Sequence, residues 1–497
     1  MLRPIRHLFR GARVVRVLMR HQALFFVDLL PLPPFAMRLA GPWTGRKATR
    51  RPGQRLADAL VELGPSFVKL GQSLAVRPDI MGTDVARDLA RLQDRLEPFP
   101  GDQAMALIER ELGAPVDFLF RGFDPVPVAA ASIAQVHFAL LPDGREVAVK
   151  VLRPGVEAAI ERELAFFLWL AETVEYLFPH LRRLRPVETV RVHAMWTRRE
   201  LDLRLEAAAA AEFARNCADD EGFRVPFVDW ERTSRRVLTL ERVSGTPSDQ
   251  RERLIEQGLD PDRILDRAAV VFFNQVFRDG FFHADMHPGN TFIEPDGTIV
   301  PVDFGIMGRL DLDTRKYLAE ILVGFLDRDY RRVADVFVRA GYVPADEDRD
   351  AFAQAARAIG EPILGKPLND ISIGRLFGQI LTVAEQFKMQ QQPHLLLLQK
   401  TMVVAEGVGR ALNPSVNIWQ TAQPLVAEWI AVHLGPQAKA IELAREAYDV
   451  LQRGPVVLRR LERTLIQLEH HHTVLKDRAP IWLFLVLAAF LLGWTIR

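Results

Sequence analysis

The chain has 497 residues, 49% of them hydrophobic and 26% charged, which is typical of a folded protein with a substantial core. The net charge of +1 argues against a general nucleic-acid-binding protein. A single cysteine, Cys217, excludes an internal disulfide and a zinc-finger pattern, and it fits a reducing compartment.

The first 20 residues are strongly basic. They contain six arginines and no acid, interleaved with apolar residues such as Ile5, Phe9 and Val15. This pattern predicts a basic amphipathic helix that contacts an anionic membrane surface. A solvated arginine face and an organelle-targeting sequence are the alternatives, and no secretory signal peptide is evident.

Between the two ends, the periodicity changes from helical to strand-like and back. Helices are predicted within residues 54–120, 156–218, 262–280 and 312 to about 475. A β-hairpin is predicted over residues 132–152, a strand over 235–243, and two short strands on either side of the turn at 294–297.

The carboxyl-terminal residues 481–496 are apolar and uncharged. As a helix they would span roughly 24 Å, slightly less than a typical hydrocarbon core. Trp482 and Trp494 occupy interfacial positions, and Lys476 and Arg478 flank the segment on its amino-terminal side. The sequence therefore predicts a membrane anchor with a cytoplasmic body. A buried helix is the alternative, although it would normally have a polar stripe.

The second strand of the predicted hairpin ends in VAVK, with Lys150 as its last residue. In protein kinases a lysine at this position binds the α- and β-phosphates below a glycine-rich loop. Counted back from Val136, the glycine positions of that loop are occupied by Ala129, Ala131 and Ala134. Alanine resists the backbone conformations that glycine allows around phosphates, so we expect altered nucleotide positioning and suppressed transfer to proteins. Without other motifs, a lysine of this kind is usually an ordinary strand-end charge.

Residues 283–290, HADMHPGN, have the spacing of a kinase catalytic loop. In that loop Asp285 would accept the proton of the substrate hydroxyl, and Asn290 would bind Mg²⁺. Asp303 begins a DFG sequence 13 residues after Asn290. Oxygen atoms from Asn290, Asp303 and phosphate suit the octahedral coordination of Mg²⁺. The joint spacing with Lys150 predicts a kinase-like nucleotide site.

A zinc or iron site formed by His283, Asp285 and His287 is an alternative for the same loop, as is a purely structural polar turn. Neither alternative explains the upstream lysine or the DFG sequence. Ala284 stands where regulated kinases have an arginine that pairs with a phosphorylated activation loop, so no switch of that kind is expected. No A-P-E motif follows, and a docking surface for ordinary peptide substrates is not evident.

With these motifs together, the chain resembles the UbiB family of atypical kinases from about residue 55 to residue 345. The resemblance rests on FVKLGQSLAVRPD (67–79), LQDRLEPFP (92–100), AAASIAQVH (129–137), ELD (200–202), HADMHPGN (283–290) and DFG (303–305). It implies an α+β, protein-kinase-like fold with a small β-rich N-lobe, a helical C-lobe and a helical extension over the cleft. It also implies a role that supports ubiquinone biosynthesis at a membrane.

The resemblance implies the following site for ATP and Mg²⁺. Lys150 and Asp285 would be catalytic, and Asn290 and Asp303 would bind the metal. The nucleotide would contact Ala129, Ala130, Ala131, Ser132, Ile133, Ala134, Val136, Lys150 and Glu206. A regulatory cap would consist of Lys69, Gly71, Gln72, Glu200 and Asp202, with Lys69 facing the two acids. Glu206 is implied as the partner of Lys150, but the sequence alone leaves Glu200, Glu161 and Glu163 open.

Six segments are expected. They are a membrane-apposed segment (1–50), a helical extension (51–125), a kinase-like N-lobe with a helical insert (126–245), a C-lobe (246–345), a helical tail (346–478) and a transmembrane anchor (479–497). The expected partners are membrane lipids, ubiquinone precursors or their biosynthetic enzymes, and a second copy in a homodimer, but not nucleic acid. The expected location is the cytoplasmic face of a bacterial inner membrane, or the mitochondrial inner membrane in a eukaryote. A small-molecule phosphotransferase and a non-catalytic nucleotide- and lipid-binding scaffold are alternative functions.

Overall fold

The computed structural model describes residues 3–25, 49–75, 81–89, 92, 97–177, 182, 185–286, 288–364, 373–389, 392–413 and 418–435. Its contacts divide the chain into Met1–Ala427 and Glu428–Arg497, and residues 428–435 are the described part of the second unit. The predicted anchor at 479–497 lies outside the described residues, as do residues 26–48 and 436–478. None of the described helices is long and apolar enough to cross a membrane.

The described helices follow the predicted order. They are α1 Arg3–Arg20, α2 Pro52–Leu63, α3 Pro65–Ala75, α4 Thr83–Leu89, α5 Gly101–Leu112, α6 Val116–Leu119, α7 Val156–Leu177, α8 Pro186–Glu200, α9 Leu203–Asn216, α10 Arg251–Glu256, α11 Pro261–Phe273, α12 Leu312–Leu326, α13 Tyr330–Arg339, α14 Arg349–Leu364, α15 Ile373–Gln386, α16 Pro393–Leu412 and α17 Ile418–Leu434. A π-helical turn, Asn274–Asp279, extends α11 toward the catalytic-loop segment.

The strands form antiparallel sheets in the described part of the chain. They are β1 Gly122–Phe123, β2 Ala129–Ala130, β3 Ala134–Leu140, β4 Glu146–Leu152, β5 Val237–Glu241, β6 Thr246–Pro247, β7 Phe281–His283, β8 Thr291–Ile293, β9 Ile299–Pro301 and β10 Met307–Arg309. The largest sheet has the order β1-β3-β4-β5 with β2 paired to β3, and the smaller ones are β6-β8-β9 and β7-β10.

The predicted hairpin is present, but its first strand begins at Ala134 and not at Ser132. The reason is a tight turn in which the Ala131 amide donates to the Ala134 carbonyl at 2.8 Å. Strands β1 and β2 were not predicted, because two residues are too few to produce a pattern of alternation. The hairpin places Val136 directly opposite Lys150.

Alternation along β4 decides which way Lys150 points. Val147, Val149 and Val151 are fully buried in a core that also contains Leu107 and Ile108 of α5. Successive residues of a strand face opposite sides of the sheet, so Lys150 lies on the side away from α5. Burial of the three valines thereby fixes the lysine on the cleft side.

The amino-terminal helix forms as predicted and packs against the body of the protein. Val17 and Leu18 are buried in the same core as residues of α2 and α7. On the other side, Phe9 and Val15 are 76% and 46% exposed. The helix therefore uses one apolar edge for folding and leaves another accessible beside its arginines.

The predicted helical regions contain several helices. The run TDVARDLARLQDRL predicts one helix over residues 83–96, but the helix is Thr83–Leu89 and Leu92 is outside it. The region 156–218, where helices were predicted, contains α7, α8 and α9. Arg185 precedes α8 with a φ of 48°, and the Asp202 side chain caps α9 by accepting from the Arg204 amide. These breaks place Glu200 and Asp202, the two acids of the ELD (E-x-D) motif, at the junction of α8 and α9.

Candidate active site

Lys150 lies at the centre of a charged cluster on the cleft side of the sheet. Its Nζ donates to both carboxylate oxygens of Glu206, at 2.7 and 2.9 Å. Asp303 Oδ2 lies 3.6 Å from the same nitrogen. Because Glu206 is in the first turn of the capped helix α9, the start of the helix fixes its carboxylate. A strand lysine held by a helix glutamate is the ion pair that active protein kinases require.

Burial and charge act in opposite directions on this cluster. Burial lowers the pKa of Lys150, but the carboxylates of Asp303 and Glu206 outweigh it and the pKa lies above its ordinary value. Burial raises the pKa of Glu206, and the Lys150 ammonium offsets only part of that rise. Burial also opposes ionisation of Asp303, yet Lys150 keeps its pKa below the ordinary value. At neutral pH Lys150 is therefore cationic and Asp303 anionic.

The partner of Lys150 is the glutamate that the family resemblance implied. Of the alternatives, Glu161 on α7 binds Arg198, with Nε to Oε1 at 2.5 Å. Glu200 binds Lys69 instead, with Nζ to Oε2 at 2.7 Å. Glu163 is on α7 with Glu161, two helices before the helix that carries Glu206.

The alanine-rich segment is a closed turn beside this cluster. Ser132 and Ala134 are each 1% exposed, and the Arg153 guanidinium donates to the Ala131 carbonyl at 3.1 Å. The Arg153 amide also donates to the Ile133 carbonyl at 2.8 Å. None of the residues from Ala129 to Ala134 has a positive φ, so the turn lacks the left-handed conformations typical of a glycine-rich loop.

A second contact holds the same turn from outside the sheet. Gln135 is 1% exposed, and its side-chain amide exchanges two hydrogen bonds with the backbone of Phe99, at 3.0 and 3.1 Å. Arg153 donates to the Glu97 carbonyl at 2.8 Å. The linker before α5 thus braces the turn. The sequence placed Gln135 within a motif but gave no role to it or to Arg153.

His283 is an internal support of the catalytic loop. It is 1% exposed at the end of β7 and opposite Met307 of β10. The Asp285 amide donates to His283 Nδ1 at 3.2 Å, so the ring proton is on Nε2 and is donated to the Asp303 carbonyl. Burial lowers the pKa of His283, consistent with this neutral tautomer.

In this arrangement His283 cannot coordinate zinc or iron, because both of its ring nitrogens are hydrogen-bonded to the backbone. His287 lies outside the described residues. Among the residues that are described, no group of three or more His, Cys, Asp and Glu side chains is arranged to hold a metal ion. A Mg²⁺ site completed by amide and phosphate oxygens is of a different kind and needs no such group.

The Asp285 carboxylate lies between an amide and an ammonium. Asn290 Nδ2 donates weakly to Asp285 Oδ2 and to its carbonyl, both at 3.5 Å. Lys400 Nζ, on α16, donates to Asp285 Oδ1 at 3.1 Å. Thr401 Oγ1 on the same helix approaches the Ala284 carbonyl at 3.4 Å. A helix from the tail therefore reaches the catalytic position.

Sequence reasoning missed Lys400. The signal that could have indicated it is a lone cation in the run LLLLQKTMVV, residues 395–404. A lysine within an otherwise apolar helical stretch needs a specific environment, but the sequence does not show which acid supplies it. The contact joins residues 115 positions apart.

The DFG segment connects the two sides of the cluster. Asp303 Oδ1 accepts the Gly305 amide at 2.9 Å, which orients its carboxylate toward Lys150. Phe304 is 1% exposed and packs against Phe213 of α9 at 6.1 Å and His283 at 5.9 Å between ring centroids. The helix that carries Glu206 and the catalytic loop therefore share one aromatic core.

The β8-β9 hairpin brings the end of the catalytic loop next to the residue before Asp303. The Val302 amide donates to the Asn290 carbonyl at 3.0 Å.

The predicted cap residues lie on α3 and at the α8-α9 junction. Lys69 contacts Glu200, and its positive charge also acts on Lys150 and Asp303. Asp202 binds the Arg204 guanidinium at 2.7 and 2.9 Å while it caps α9. Helix α3, which carries Lys69, Gly71 and Gln72 (K-x-G-Q), thus interacts with the site through the charge of Lys69, and Glu200 contacts that lysine directly.

The other two cap residues hold α3 in place. A side chain at Gly71 would put its Cβ 2.5 Å from Leu92 Cδ1 and 2.6 Å from Leu60 Cδ1. Gln72 Nε2 donates to the Leu92 carbonyl at 3.3 Å. These contacts allow α3 to lie close to α2, and the glycine is required for that close approach.

The described residues fit a magnesium-bound nucleotide. The Ser132 hydroxyl is buried in the turn with no hydrogen-bond partner in the described chain, and a phosphate oxygen can supply one. The Asp303 side chain is 43% exposed, compared with 7% for Glu206. Asn290 directs its Nδ2 toward Asp285, which leaves its side-chain oxygen for a cation.

Two family models match the chain in these regions. The ABC1 atypical kinase-like domain matches residues 91–337, and the UbiB helical domain matches residues 356–417. The first match contains Lys150, Asp285 and Asp303, and the second contains Lys400. The chain thus combines an atypical kinase-like domain with a UbiB helical domain.

Curated relatives match over nearly the whole chain. The "Probable protein kinase UbiB" of Marinobacter nauticus is 41% identical over 92% of this chain and 85% of its own length. The proteins of that name from Pseudomonas entomophila and Pseudomonas putida GB-1 are 40% and 42% identical, over 99% and 91% of this chain and 93% and 87% of theirs. The chain belongs to the UbiB family. A solved structure, the Rv3197–erythromycin complex from Mycobacterium tuberculosis, covers 78% of this chain and 97% of its own at 25% identity, with a TM-score of 0.49.

Proposed function

We propose that the chain binds Mg-ATP beside the Lys150 cluster and uses it for phosphoryl transfer or hydrolysis that supports ubiquinone biosynthesis at a membrane. The observation that carries this proposal is the contact of Lys150 with both Glu206 and Asp303. Membership in an atypical kinase family supports the use of ATP, usually with Mg²⁺. The target is a lipidic quinone precursor or the complex of enzymes that makes it, as the family resemblance implies.

Each side chain has a distinct part in this chemistry. Lys150 binds the α- and β-phosphate oxygens, and Glu206 holds its ammonium in place. Asp303 and Asn290 would hold Mg²⁺, which would neutralise part of the phosphate charge. Asp285 accepts the proton of the attacking hydroxyl, which belongs to water or to an alcohol.

The closed alanine turn and the cap favour a small or lipidic acceptor, or water, over a protein. Arg153 holds the turn through the carbonyls of Ala131 and Ile133. The Lys69–Glu200 pair, with side chains only 14% and 20% exposed, lies beside the cluster. A folded protein substrate would have to displace part of this layer. The alternative of a small-molecule phosphotransferase remains compatible with the same loop.

Membrane contact is proposed through α1. Its exposed Phe9 and Val15 lie among exposed arginines, which suits the interface of an anionic bilayer. The carboxyl-terminal anchor and a homodimer remain predictions from the sequence. Under this proposal the body lies on the cytoplasmic face of a bacterial inner membrane, where lipidic precursors are accessible.

The test is complementation of cells that lack this gene, with ubiquinone content as the measurement. The wild type, Asp303→Asn and the matched control Asp313→Asn are expressed at equal levels. Asp313 is exposed in the first turn of α12. We expect rescue by the wild type and by Asp313→Asn but not by Asp303→Asn. ATP turnover by the purified proteins is measured with and without vesicles containing anionic lipid.

The outcomes separate the candidate functions. Equal rescue by Asp303→Asn would contradict the proposal and favour the non-catalytic scaffold. No ubiquinone deficit in the deletion strain would remove the quinone role. Turnover that needs a soluble alcohol and ignores the vesicles would favour a small-molecule phosphotransferase.

A further inference from the structure

Lys400 is held at the catalytic loop by a rigid attachment of helix α16. Thr401, the next residue, is 1% exposed, and its hydroxyl lies 2.9 Å from the Leu397 carbonyl and 3.4 Å from the Ala284 carbonyl. Leu398 of the same helix is 3% exposed. Because its neighbours are buried, the backbone of Lys400 cannot move far from the catalytic loop without undocking the helix.

The ammonium of Lys400 has donor capacity beyond its contact with Asp285. An ammonium has three donors, and within the described chain Asp285 Oδ1 is the recorded acceptor, at 3.1 Å. The side chains of Lys400 and Asp285 are 36% and 37% exposed, so the pair faces open space. An exposed pair of this kind contributes little to folding stability, and its placement calls for a functional reason.

The charge distribution of the cleft supplies that reason. On the sheet side, the ammonium of Lys150 pairs with the carboxylates of Glu206 and Asp303. On the loop side, Asp285 would face the terminal phosphate of a bound nucleotide. The carboxylate and the phosphate are both anions, so they would repel each other. Phosphoryl transfer is accelerated mainly by cations placed around the transferred group. Lys400 is the cation that the described structure places beside Asp285.

We propose that Lys400 is a catalytic residue supplied by the helical tail, and that its ammonium binds the terminal phosphoryl group of the nucleotide. This inference rests on the proposed function. In the transfer step, the oxygen of the acceptor hydroxyl forms a bond to the γ-phosphorus, and the bond from that phosphorus to the β-bridging oxygen breaks. ADP leaves with the electron pair, the hydroxyl proton passes to Asp285, and Lys400 neutralises the transferred group.

The first measurement is binding, which does not depend on turnover. Dissociation constants for ADP and for a non-hydrolysable ATP analogue, both with Mg²⁺, are measured by calorimetry on the full chain. The variants are Lys400→Met, Lys400→Arg and the control Lys388→Met. Lys388 is a tail lysine whose side chain is 72% exposed and pairs with Glu347, away from the catalytic loop.

We expect Lys400→Met to weaken binding of the triphosphate analogue about tenfold, because it removes a charge-assisted contact to the terminal phosphate. ADP affinity should stay unchanged, and Lys400→Arg should recover part of the loss. Lys388→Met should match the wild type for both ligands. In turnover assays, kcat should fall by about 10²-fold in Lys400→Met with a smaller change in KM.

Other outcomes contradict the inference. Equal affinity of Lys400→Met and wild type for the triphosphate, or a rise in kcat, would mean that Lys400 blocks Asp285 or only anchors the tail. Equal weakening of ADP and analogue would indicate a structural defect, which the melting temperature would also report. Failure of the proposed function is distinct: wild type and Asp303→Asn would then show the same ATP turnover, while the binding comparison would still test Lys400.

Discussion

The two lysines of the site belong to regions with different physical character. Lys150 lies on a strand, 19% exposed, and is shared by two carboxylates within a packed cluster. Lys400 lies on a helix of the tail, 36% exposed, and contacts one carboxylate. Removing the charge in the first region leaves the buried carboxylate of Glu206 without a counterion. In the second region it leaves Asp285, a carboxylate that water can reach.

Because of this difference, the two lysines should contribute differently to folding stability and to catalysis. The sheet-side pair of Lys150 and Glu206 is buried, so removing one of its two charges lowers folding stability as well as affecting binding. The tail-side region is held by apolar packing and the Thr401 contact, and its charge is free to act on a ligand. A variant of Lys150 should therefore lose both folding stability and activity. A variant of Lys400 should lose activity with little change in folding stability.

The largest expected effect on stability is that of Lys150→Met. It leaves Glu206, which is 8% exposed, as a buried carboxylate without its ammonium. We expect the free energy of unfolding to fall by about 3–5 kcal/mol. Urea denaturation followed by circular dichroism measures the change.

Two further variants control this prediction. In the double variant Lys150→Met/Glu206→Gln the buried charge is absent, and most of the loss should be recovered. Lys400→Met should change the free energy of unfolding by no more than about 1 kcal/mol. Similar losses for the two single lysine variants would contradict the distinction between the regions.

The cap helix provides the next test. In Gly71→Ala the new Cβ would lie 2.5 Å from Leu92 Cδ1 and 2.6 Å from Leu60 Cδ1 of α2, so these two leucines must repack or α3 must move away from α2. We expect a loss of about 1–3 kcal/mol in the free energy of unfolding. The matched control is Gly407→Ala in α16, where a Cβ would meet nothing within 4 Å. That change should stabilise its helix by about 0.5–1 kcal/mol, and an equal loss at both glycines would contradict the packing argument.

A pH-dependent effect should appear at His193 on α8. Burial, with a smaller contribution from the Lys69 ammonium, lowers the pKa of His193 from 6.5 to about 4. Between these values the unfolded chain binds a proton that the native chain does not, so stability falls as the pH is lowered through this window. From pH 7.5 to pH 5.5 the loss should be about 1.4 kcal/mol. In His193→Gln the free energy of unfolding should lose this part of its pH dependence. An unchanged pH dependence would show that another group titrates.

The smallest effect is expected in the alanine turn. Ala131→Gly gives the unfolded chain more freedom without removing a contact, which costs about 0.4–1 kcal/mol. It also permits positive φ values, so the turn can approach the phosphates differently and change the preference between ATP and ADP. Nucleotide titration measures this preference. If single and combined changes at Ala129, Ala131 and Ala134 leave it unaltered, the turn is not a nucleotide loop.

The sequence was most informative where chemistry depends on spacing along one segment. The separation of Asp285, Asn290 and Asp303 predicted a loop-hairpin-loop unit, and β8 and β9 lie between them. The step from Val136 to Lys150 predicted a hairpin, and the two residues lie opposite each other. In these cases local turn chemistry and strand alternation determine the geometry.

Contacts between distant segments were not predictable in the same way. The sequence offered several glutamates for Lys150, because the choice depends on where α9 begins, and Asp202 decides that by capping it. The brace from Phe99 to Gln135 and the reach of Lys400 to Asp285 require knowledge of how helices pack. No periodicity in one segment encodes its partner in another.

The attachment of α16 has a consequence for synthesis of the chain. Lys400 and Thr401 meet Asp285 and Ala284 across 115 and 117 residues. Because domains fold as they leave the ribosome, the sheet and the catalytic loop emerge well before α16. A nascent or prematurely terminated chain would lack the tail lysine at Asp285. If Lys400 acts as proposed, such a chain would turn ATP over poorly even where its sheet and catalytic loop have formed.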